Sequence, residues 1–429
     1  MSFQRAVKMD ISKFEKIREM KGLTHQDIGN LMGLDAEIIC NIERGHINLT
    51  RDLLDNYKAI MGMESVPLSC TEVAQYDKVL EDWKNLILVG DMEKAGELQP
   101  LLSRNVKWSL EPGLQLTYDL YFLEYLRTIG NMDTFKALLT SVQDRRDSLT
   151  KENNYWYTRA LGYRHLAEWQ YRDALIVFLS ARDKYETLNI RDESVLHNIG
   201  YCLTFMGYSY IARETLEEAQ RESSKKYNSR YNLTIQMLNA AIFKNLGNHS
   251  KSLELLEACL RDVKEKKHTD MFEGVIYRNL AEIYQTMGCL NEAEAHINKA
   301  FEYFEAGSES YVYYLYIKAS ILADWGKFDE YNECLEKGLS FSPSDDTFNG
   351  LLLKSLKNSL TLDNDDSVKY MEECAIPKLL LRGLNLQAIN YCTKLSRHFE
   401  SSKKYKRAFL YSEHANRVKD KLMKGDYSL

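Results

Sequence analysis

Asparagine and arginine side chains recur at a regular interval in the middle of the chain. Asn198, Asn239 and Asn279 lie about 40 residues apart. A carboxamide donates and accepts hydrogen bonds at the same time, so a row of them can hold the backbone of an extended peptide. Arg159 and Arg278 add guanidinium groups, which can pair with the carboxylate of a peptide terminus or an acidic side chain. These residue types predict a surface that binds a short peptide.

Aromatic and polar side chains accompany these amides at matching helix positions and could cover the apolar side chains of a peptide. The full set of candidate peptide-binding residues is Trp156, Arg159, Tyr163, His197, Asn198, Tyr201, Asn239, Arg278, Asn279 and Glu282. Asn239 is one residue out of register with the others. The alternative is a solvated inner face without a ligand, because polar groups on exposed helix faces are ordinary.

The sequence offers no pattern for bond-breaking chemistry. A phosphate-binding loop, an H-E-x-x-H motif, a nucleophile elbow and a paired metal-ligand spacing are all missing from it. Its 8 cysteines are scattered without a C-x-x-C pair, which favours core residues in a reducing compartment over disulfides or a zinc site. We therefore expect no enzyme activity, no catalytic residue, no metal and no cofactor.

Residues 11–63 carry a different set of polar residues. Thr24 can cap a short helix over 25–32, and Gly33 can close it. A second short helix follows over 36–44. Two short helices joined by a tight glycine-containing turn form the helix-turn-helix arrangement, in which the second helix can lie in the major groove of DNA.

The same segment resembles the phage-repressor (Cro or XRE) type of DNA-binding domain. The residues that carry the resemblance are Gly22, Leu23, Thr24, Gly29, Leu31, Gly33, Leu34, Ile39, Ile42, Glu43, Arg44 and Gly45. The resemblance implies that the starts of both helices touch DNA and that Arg18 and Glu43 form a structural pair. The implied DNA-binding residues are Thr24, His25 and Gln26 on phosphates, Ala36, Glu37, Cys40 and Asn41 on base edges, and Arg44 as a further phosphate partner.

The charges of this segment are unusual for a DNA-binding domain. The second helix has no Lys or Arg before Arg44, so the bidentate contact of arginine with guanine is missing. Residues 1–63 hold equal numbers of basic and acidic side chains, whereas affinity for DNA depends on phosphate neutralisation. Asn41 could still bind adenine, Glu37 cytosine and Ala36 a thymine methyl group. We expect that the domain depends on dimerisation, binds weakly or has lost the activity.

Three segments share one spacing of small and large residues, which shows how the candidate peptide surface is held. They are Leu161, Gly162, His165, Trp169, Ala174, Phe178 and Ala181; Ile199, Gly200, Leu203, Gly207, Ala212, Leu216 and Ala219; and Leu280, Ala281, Tyr284, Gly288, Ala293, Ile297 and Ala300. This is the pattern of the tetratricopeptide repeat (TPR), a helical hairpin that stacks into a solenoid. Turns near Gly207, Gly247, Gly288 and Gly326 are about 40 residues apart. The usual repeat is about 34 residues, so we expect longer helices here.

These patterns predict an all-α protein in three parts. Residues 1–63 form the helix-turn-helix domain, residues 64–73 a linker, and residues 74–429 a right-handed α-solenoid that carries the candidate peptide-binding surface. With only 5 prolines and 28% charged residues in 429, the composition favours long helices with solvated faces. No apolar stretch is long enough to span a membrane, and the N-terminal residues lack the apolar core of a secretion signal. We expect a cytoplasmic protein without a membrane partner.

The combination of a repressor-type N-terminal domain and a TPR-like solenoid resembles the RRNPP family of Gram-positive bacteria and their phages. That resemblance implies a quorum-sensing receptor for a short signalling peptide, acting as a homodimer that binds double-stranded DNA at a palindromic operator. Other members of the family sequester or dephosphorylate a response regulator. Binding of a response regulator is therefore an alternative function, in which the DNA-binding head (residues 1–63) would be degenerate. A TPR scaffold whose head only dimerises is the third alternative.

Overall fold

The computed structural model describes residues 14–15, 18–19, 21–44, 46–47, 50–61, 70–106, 111–188, 192–224, 229–266 and 270–426. Within these ranges every regular element is a helix. The chain divides into two compact units, Met1–Ala160 and Leu161–Leu429. Residues 64–69 of the expected linker lie outside the described residues.

The helices of the first unit are α1 His25–Met32, α2 Ala36–Glu43, α3 Arg51–Ile60, α4 Cys70–Val89, α5 Met92–Val106, α6 Pro112–Thr128, α7 Met132–Gln143 and the start of α8 Lys151–Ala167. The second unit begins within α8 and continues with α9 Tyr171–Leu188, α10 Glu193–Met206, α11 Ser209–Ser224, α12 Ser229–Asn245, α13 His249–Lys266, α14 Asp270–Thr286, α15 Leu290–Ala300, α16 Glu309–Trp325, α17 Phe328–Phe341, α18 Phe348–Ser359, α19 Asp365–Tyr370, α20 Ile376–Leu381, α21 Asn385–Ser401 and α22 Tyr405–Lys424.

Local interactions fix the helix-turn-helix geometry. Thr24 and Asp27 form a reciprocal capping box at the start of α1. Gly33 ends α1 in the left-handed region, at φ 67°. A Cβ on Gly29 would lie 2.5 Å from the carbonyl oxygen of Leu34, so only glycine allows the turn to approach α1 this closely. The helix-turn-helix segment packs on a small hydrophobic core. Its fully buried side chains are Phe14, Ile28, Ile39, Ile42, Tyr57 and Met61.

Small residues hold the solenoid hairpins together, as the repeat pattern predicts. A Cβ on Gly162 would lie 2.7 Å from the ring of Phe178, and one on Gly200 would lie 2.5 Å from the side chain of Leu216. The alanines of the shared spacing are at most 1% exposed: Ala174, Ala181, Ala212, Ala219, Ala281, Ala293 and Ala300. The two helices of each hairpin can therefore pack at the short distance that a TPR-like unit needs.

Trp169 occupies a turn position where the other repeats have glycine. Its φ is +56°, a left-handed conformation that is strained for a bulky residue. Its indole ring stacks on Phe348 with the ring centroids 4.3 Å apart, and its Nε1 donates to Glu309 at 3.1 Å. These distant contacts compensate for the local strain.

Helices at the start and at the end of the second unit contact each other. We call this contact, between residues 168–208 and residues 346–426, the seam. Its hydrogen bonds run from Arg382 Nη1 to the carbonyl of Glu168 (2.9 Å), from Asn385 Nδ2 to the carbonyl of Met206 (2.9 Å) and from the Tyr208 hydroxyl to the carbonyl of Asp426 (3.1 Å). The solenoid of this unit therefore closes on itself.

We expect a methyl group at Gly207 to weaken the seam. Gly207 and Gly247 are both left-handed, so replacing either with alanine should cost about 1 kcal/mol of unfolding free energy. A Cβ on Gly207 would also lie 3.0 Å from Leu386 and 3.2 Å from Leu422, whereas one on Gly247 meets nothing within 4 Å. Overpacking should add about 1–3 kcal/mol at Gly207 only. Urea unfolding of both variants measures the difference, and equal losses would contradict this account of the seam.

Candidate functional site

Three charged side chains meet inside the second unit. Arg278 Nη1 on α14 donates to Glu282 Oε1 at 3.0 Å, and Lys244 Nζ on α12 donates to Glu282 Oε2. All three side chains are at most 19% exposed. We call them the inner charge cluster. Burial alone would raise the pKa of Glu282, but the charges of Lys244 and Arg278 outweigh it and lower that pKa to about 2.

Aromatic rings surround this cluster. The guanidinium carbon of Arg278 lies 5.7 Å from the ring centroid of Tyr313, and Tyr313 stacks on Tyr316 at 6.0 Å. Further ring contacts join Trp169, Tyr171, Tyr201, Phe205 and Phe348. Burial raises the pKa of Tyr201 to about 12, which keeps its hydroxyl protonated. Aromatic rings therefore line the interior beside the inner charge cluster, and several of them are buried, whereas the repeat pattern predicts an open inner face.

The interior retains hydrogen-bonding capacity that the protein does not use. The Nε of Arg278 is buried and has no hydrogen-bond partner. Asn198 and Asn279 are 7% and 9% exposed, so both are buried rather than open to solvent as the sequence predicts. A buried polar group without a partner is costly. With two cations and one carboxylate, the inner charge cluster also has a surplus positive charge.

The other candidate residues of the second unit are engaged in packing. Tyr163 is buried with its ring edge against Phe178 at 5.4 Å. The ring of His197 lies 5.2 Å from that of Tyr231. Asn239 is half-buried on α12.

Trp156 and Arg159 lie in the first unit and form a separate cluster. Arg159 is 1% exposed and its Nη1 donates to Glu124 Oε2 at 3.0 Å. Its guanidinium carbon lies 5.0 Å from the ring centroid of Trp156. Glu124 also accepts from Arg127 Nε at 3.0 Å, so two cations share this carboxylate, as Lys244 and Arg278 share Glu282.

Sequence reasoning missed Lys244. This residue lies three positions before Gly247, as Gln285 lies three positions before Gly288. Aligning the turn glycines would have placed it on the same helix face as Gln285, whose Nε2 donates to Asp324 at 2.7 Å across to α16. Its partner Glu282 is 38 residues away, and only the stacking of α12 on α14 brings the two together.

The inner charge cluster should make stability depend on acid pH. The pKa of Glu282 is about 2 in the folded chain and about 4.3 in an unfolded one, so the unfolded state binds more protons between these values. The stabilisation is present above pH 4.3 and is lost as pH falls towards 2. It amounts to about 3 kcal/mol. Urea unfolding should show Glu282→Gln less stable than the natural chain at pH 7, and this difference should shrink steadily as pH falls from about 4.3 towards 2. Parallel pH curves would contradict it.

The head contains a second buried cluster, around Glu43. This residue is 3% exposed and accepts hydrogen bonds from Arg18 Nε at 2.9 Å and from the Tyr57 hydroxyl at 2.6 Å. His25 Nε2 lies 2.8 Å from its other oxygen. Burial would raise the pKa of Glu43, but these donors lower it overall. Arg18 and Glu43 thus lie together, and His25 is turned towards Glu43 as well.

The remaining candidate DNA-binding residues lie at the surface of α1 and α2. The hydroxyl and amide of Thr24 both bind Asp27, and Gln26 donates to Asn30 at 2.9 Å. On α2 and its C-terminal cap, Glu37 and Arg44 are exposed, and Ala36, Cys40 and Asn41 are half-buried. Arg44 is the one cation among these eight candidates apart from the histidine. The described face of α2 therefore attracts phosphate weakly.

No helix among the described residues is long and apolar enough to cross a membrane. In the same part of the chain, no three His, Cys, Asp or Glu side chains converge in a way that could hold a metal ion.

Solved structures with the same fold have been determined with peptides. NprR in complex with its cognate peptide NprX is 17% identical, has a TM-score of 0.71 and aligns over 80% of this chain and 99% of its own. A Rap protein complexed with Competence and Sporulation Factor is 18% identical, has a TM-score of 0.69 and aligns over 82% and 99%. The Rap conjugation gene regulator of plasmid pLS20 with the Phr* peptide is 13% identical, has a TM-score of 0.57 and aligns over 83% and 98%.

No protein-family profile and no curated protein matches the sequence. At identities this low, the structural likeness establishes the fold and nothing further. The chain has the all-helical, TPR-like solenoid fold of these peptide-bound regulators.

Proposed function

We propose that this chain is a cytoplasmic, peptide-responsive transcription regulator of the RRNPP type. A short signalling peptide binds inside the second unit and changes the geometry of a homodimer. The helix-turn-helix heads of the dimer then bind or release a palindromic operator. A peptide can shift this equilibrium only through the difference between its affinities for the two states.

The main observation in favour of peptide binding is the surplus positive charge at Arg278. A buried guanidinium with a free Nε, beside a carboxylate already shared with Lys244, is suited to a second carboxylate. The amides of Asn198 and Asn279, which lie on helices of the same unit, could bind the peptide backbone if binding exposes them. The surrounding rings would pack on apolar peptide side chains. The peptide-bound structures with this fold support the same ligand class.

The main observation in favour of DNA binding is the geometry of α1 and α2. The turn at Gly33 and the close approach at Gly29 hold the two helices as a helix-turn-helix unit. Because the face is nearly neutral, two heads on two half-sites would be needed for useful affinity. The residues proposed to touch DNA are Thr24, His25, Gln26, Ala36, Glu37, Cys40, Asn41 and Arg44.

A library of synthetic heptapeptides with free carboxyl ends tests peptide binding, and the same library with amidated ends is the comparison. We expect binders whose affinity falls at least tenfold in Arg278→Ala and stays unchanged in Arg261→Ala, an exposed arginine on α13. Gel shifts with DNA selected from a randomised duplex pool should then change when a binder is added. Failure of every peptide to bind, or equal binding to both variants, would refute the proposal.

A second candidate function is binding of a response regulator. The nearly neutral face of α2 favours it, because such a face is poorly suited to DNA. In this case the chain would sequester a phosphorylated response regulator or promote its dephosphorylation. Incubating the full chain with such a protein and following the aspartyl phosphate and complex formation discriminates the two candidates. Neither loss of phosphate nor a complex is expected if the first proposal holds.

A further inference from the structure

A basic pocket of about 360 Å³ lies on the seam. Arg172, at the start of α9, lines it from the first hairpin of the second unit, and His414, Arg417 and Lys421 line it from α22. Met206 and Leu380 supply part of an apolar wall. No carboxylate side chain is among the lining residues. The pocket shares no residue with the inner charge cluster.

Close packing across the seam builds this pocket. Gly383 also lines it and has φ +82°, and a Cβ there would lie 2.9 Å from Met206 and 3.2 Å from the backbone nitrogen of Arg172. The turn after α20 therefore packs directly against Arg172 and Met206. The pocket exists only when the two ends of the solenoid meet.

The positive charge in the pocket is largely uncompensated. Neither Arg172 nor Lys421 forms an ion pair with any residue in the ranges that the structure describes, whereas Arg417 Nε is 3.2 Å from Glu413 Oε1. Asp426 is exposed and is not a lining residue of the pocket, although its backbone carbonyl accepts a hydrogen bond from the hydroxyl of the lining residue Tyr208. Two unpaired cations thus face one pocket from opposite sides of the seam, and their repulsion opposes closure.

We propose that the pocket binds a small ligand bearing a phosphate group, which bridges Arg172 and Lys421 and so holds the seam closed. A phosphate carries between one and two negative charges at neutral pH, which matches the two unpaired cations. Arginine binds phosphate oxygens bidentately, and lysine adds a point charge. The volume exceeds that of a phosphate ion and lies in the range of small-molecule sites, so an organic group can pack on Met206 and Leu380.

Calorimetric titration of the full chain tests the proposal, with inorganic phosphate and adenosine monophosphate as probes at constant ionic strength. We expect one saturable site, and tighter binding of the monophosphate ester if the apolar wall is used. Arg172→Gln and Lys421→Gln should each weaken binding at least tenfold. Lys419→Gln is the matched control, because this lysine is exposed two positions away and does not line the pocket.

Thermal unfolding is a second measurement, which reports whether the ligand holds the seam closed. At equal concentration, either probe should raise the unfolding temperature of the natural chain and of Lys419→Gln by more than that of Lys421→Gln, whose exposed side chain is not needed for folding. Three results would overturn the proposal: no saturable binding of either probe, equal binding to the Lys421→Gln and Lys419→Gln variants, or an equal effect of acetate. Peptide binding at Arg278 is independent of all three.

Discussion

Replacing Glu43 with alanine should unfold the N-terminal head while the second unit stays folded. Glu43 accepts hydrogen bonds from Arg18 and Tyr57 and also contacts His25. Its removal leaves the guanidinium of Arg18, which is 7% exposed, without its buried partner. Breaking a buried ion pair in this way costs about 3–5 kcal/mol. That is comparable to the whole stability of a core this small.

Hydrogen–deuterium exchange of the full chain, followed by mass spectrometry, measures this effect. Peptides from residues 21–61 should lose their protection in Glu43→Ala, and peptides from the second unit should keep theirs. Glu37→Ala is the matched control, since Glu37 lies on the same helix and is exposed, and it should change stability by less than about 0.5 kcal/mol. Intact protection of the head in Glu43→Ala would show that the cluster around Glu43 does not stabilise it.

The second large effect is expected at Glu282. One carboxylate is shared by two cations, so Glu282→Ala leaves both Lys244 and Arg278 buried without a counter-charge. We expect a loss of about 3–5 kcal/mol in unfolding free energy. Arg278→Ala should cost less, because it leaves Lys244 and Glu282 as a balanced pair. Removing the carboxylate should therefore lower the unfolding free energy more than removing one of the two cations.

Chemical unfolding at pH 7 compares these variants, and Glu265→Ala on α13 is the control because its side chain is exposed. It should unfold like the natural chain. If Arg278→Ala proved as damaging as Glu282→Ala, the aromatic contact of Arg278 with Tyr313 would be the dominant interaction rather than the shared carboxylate. Equal stability of Glu282→Ala and Glu265→Ala would show that water, not burial, governs this cluster.

Much of the fold follows from the sequence because its determinants are local. The expected ends of α1 agree with the structure, since capping by Thr24 and the left-handed turn at Gly33 act within four residues. The second helix, expected over 36–44, ends one residue earlier, at Glu43. The hairpins agree as well, because close approach of two consecutive helices requires small residues such as Gly200. These interactions depend on residue type and spacing alone.

The candidate site was only partly predictable. The sequence pointed to Arg278 and Glu282, which do meet inside the second unit. It also grouped Arg159 with Arg278 by repeat position, yet Arg159 lies in the first unit and pairs with Glu124, 35 residues earlier in the chain. Two arginines at equivalent repeat positions can thus have different environments, because each environment depends on which neighbouring helix supplies the counter-charge.

The amino-acid sequence by itself determined the helical hairpins, their turns and the repressor-like head, since these rest on interactions between residues close in the chain. Only the tertiary structure decided that the solenoid closes at a seam, that Trp169 stacks on Phe348 and that Lys244 completes the inner charge cluster. Each hairpin is rotated slightly relative to the one before it, and no local motif encodes this rotation. The rotations add up along the solenoid, and their sum decides which distant side chains meet.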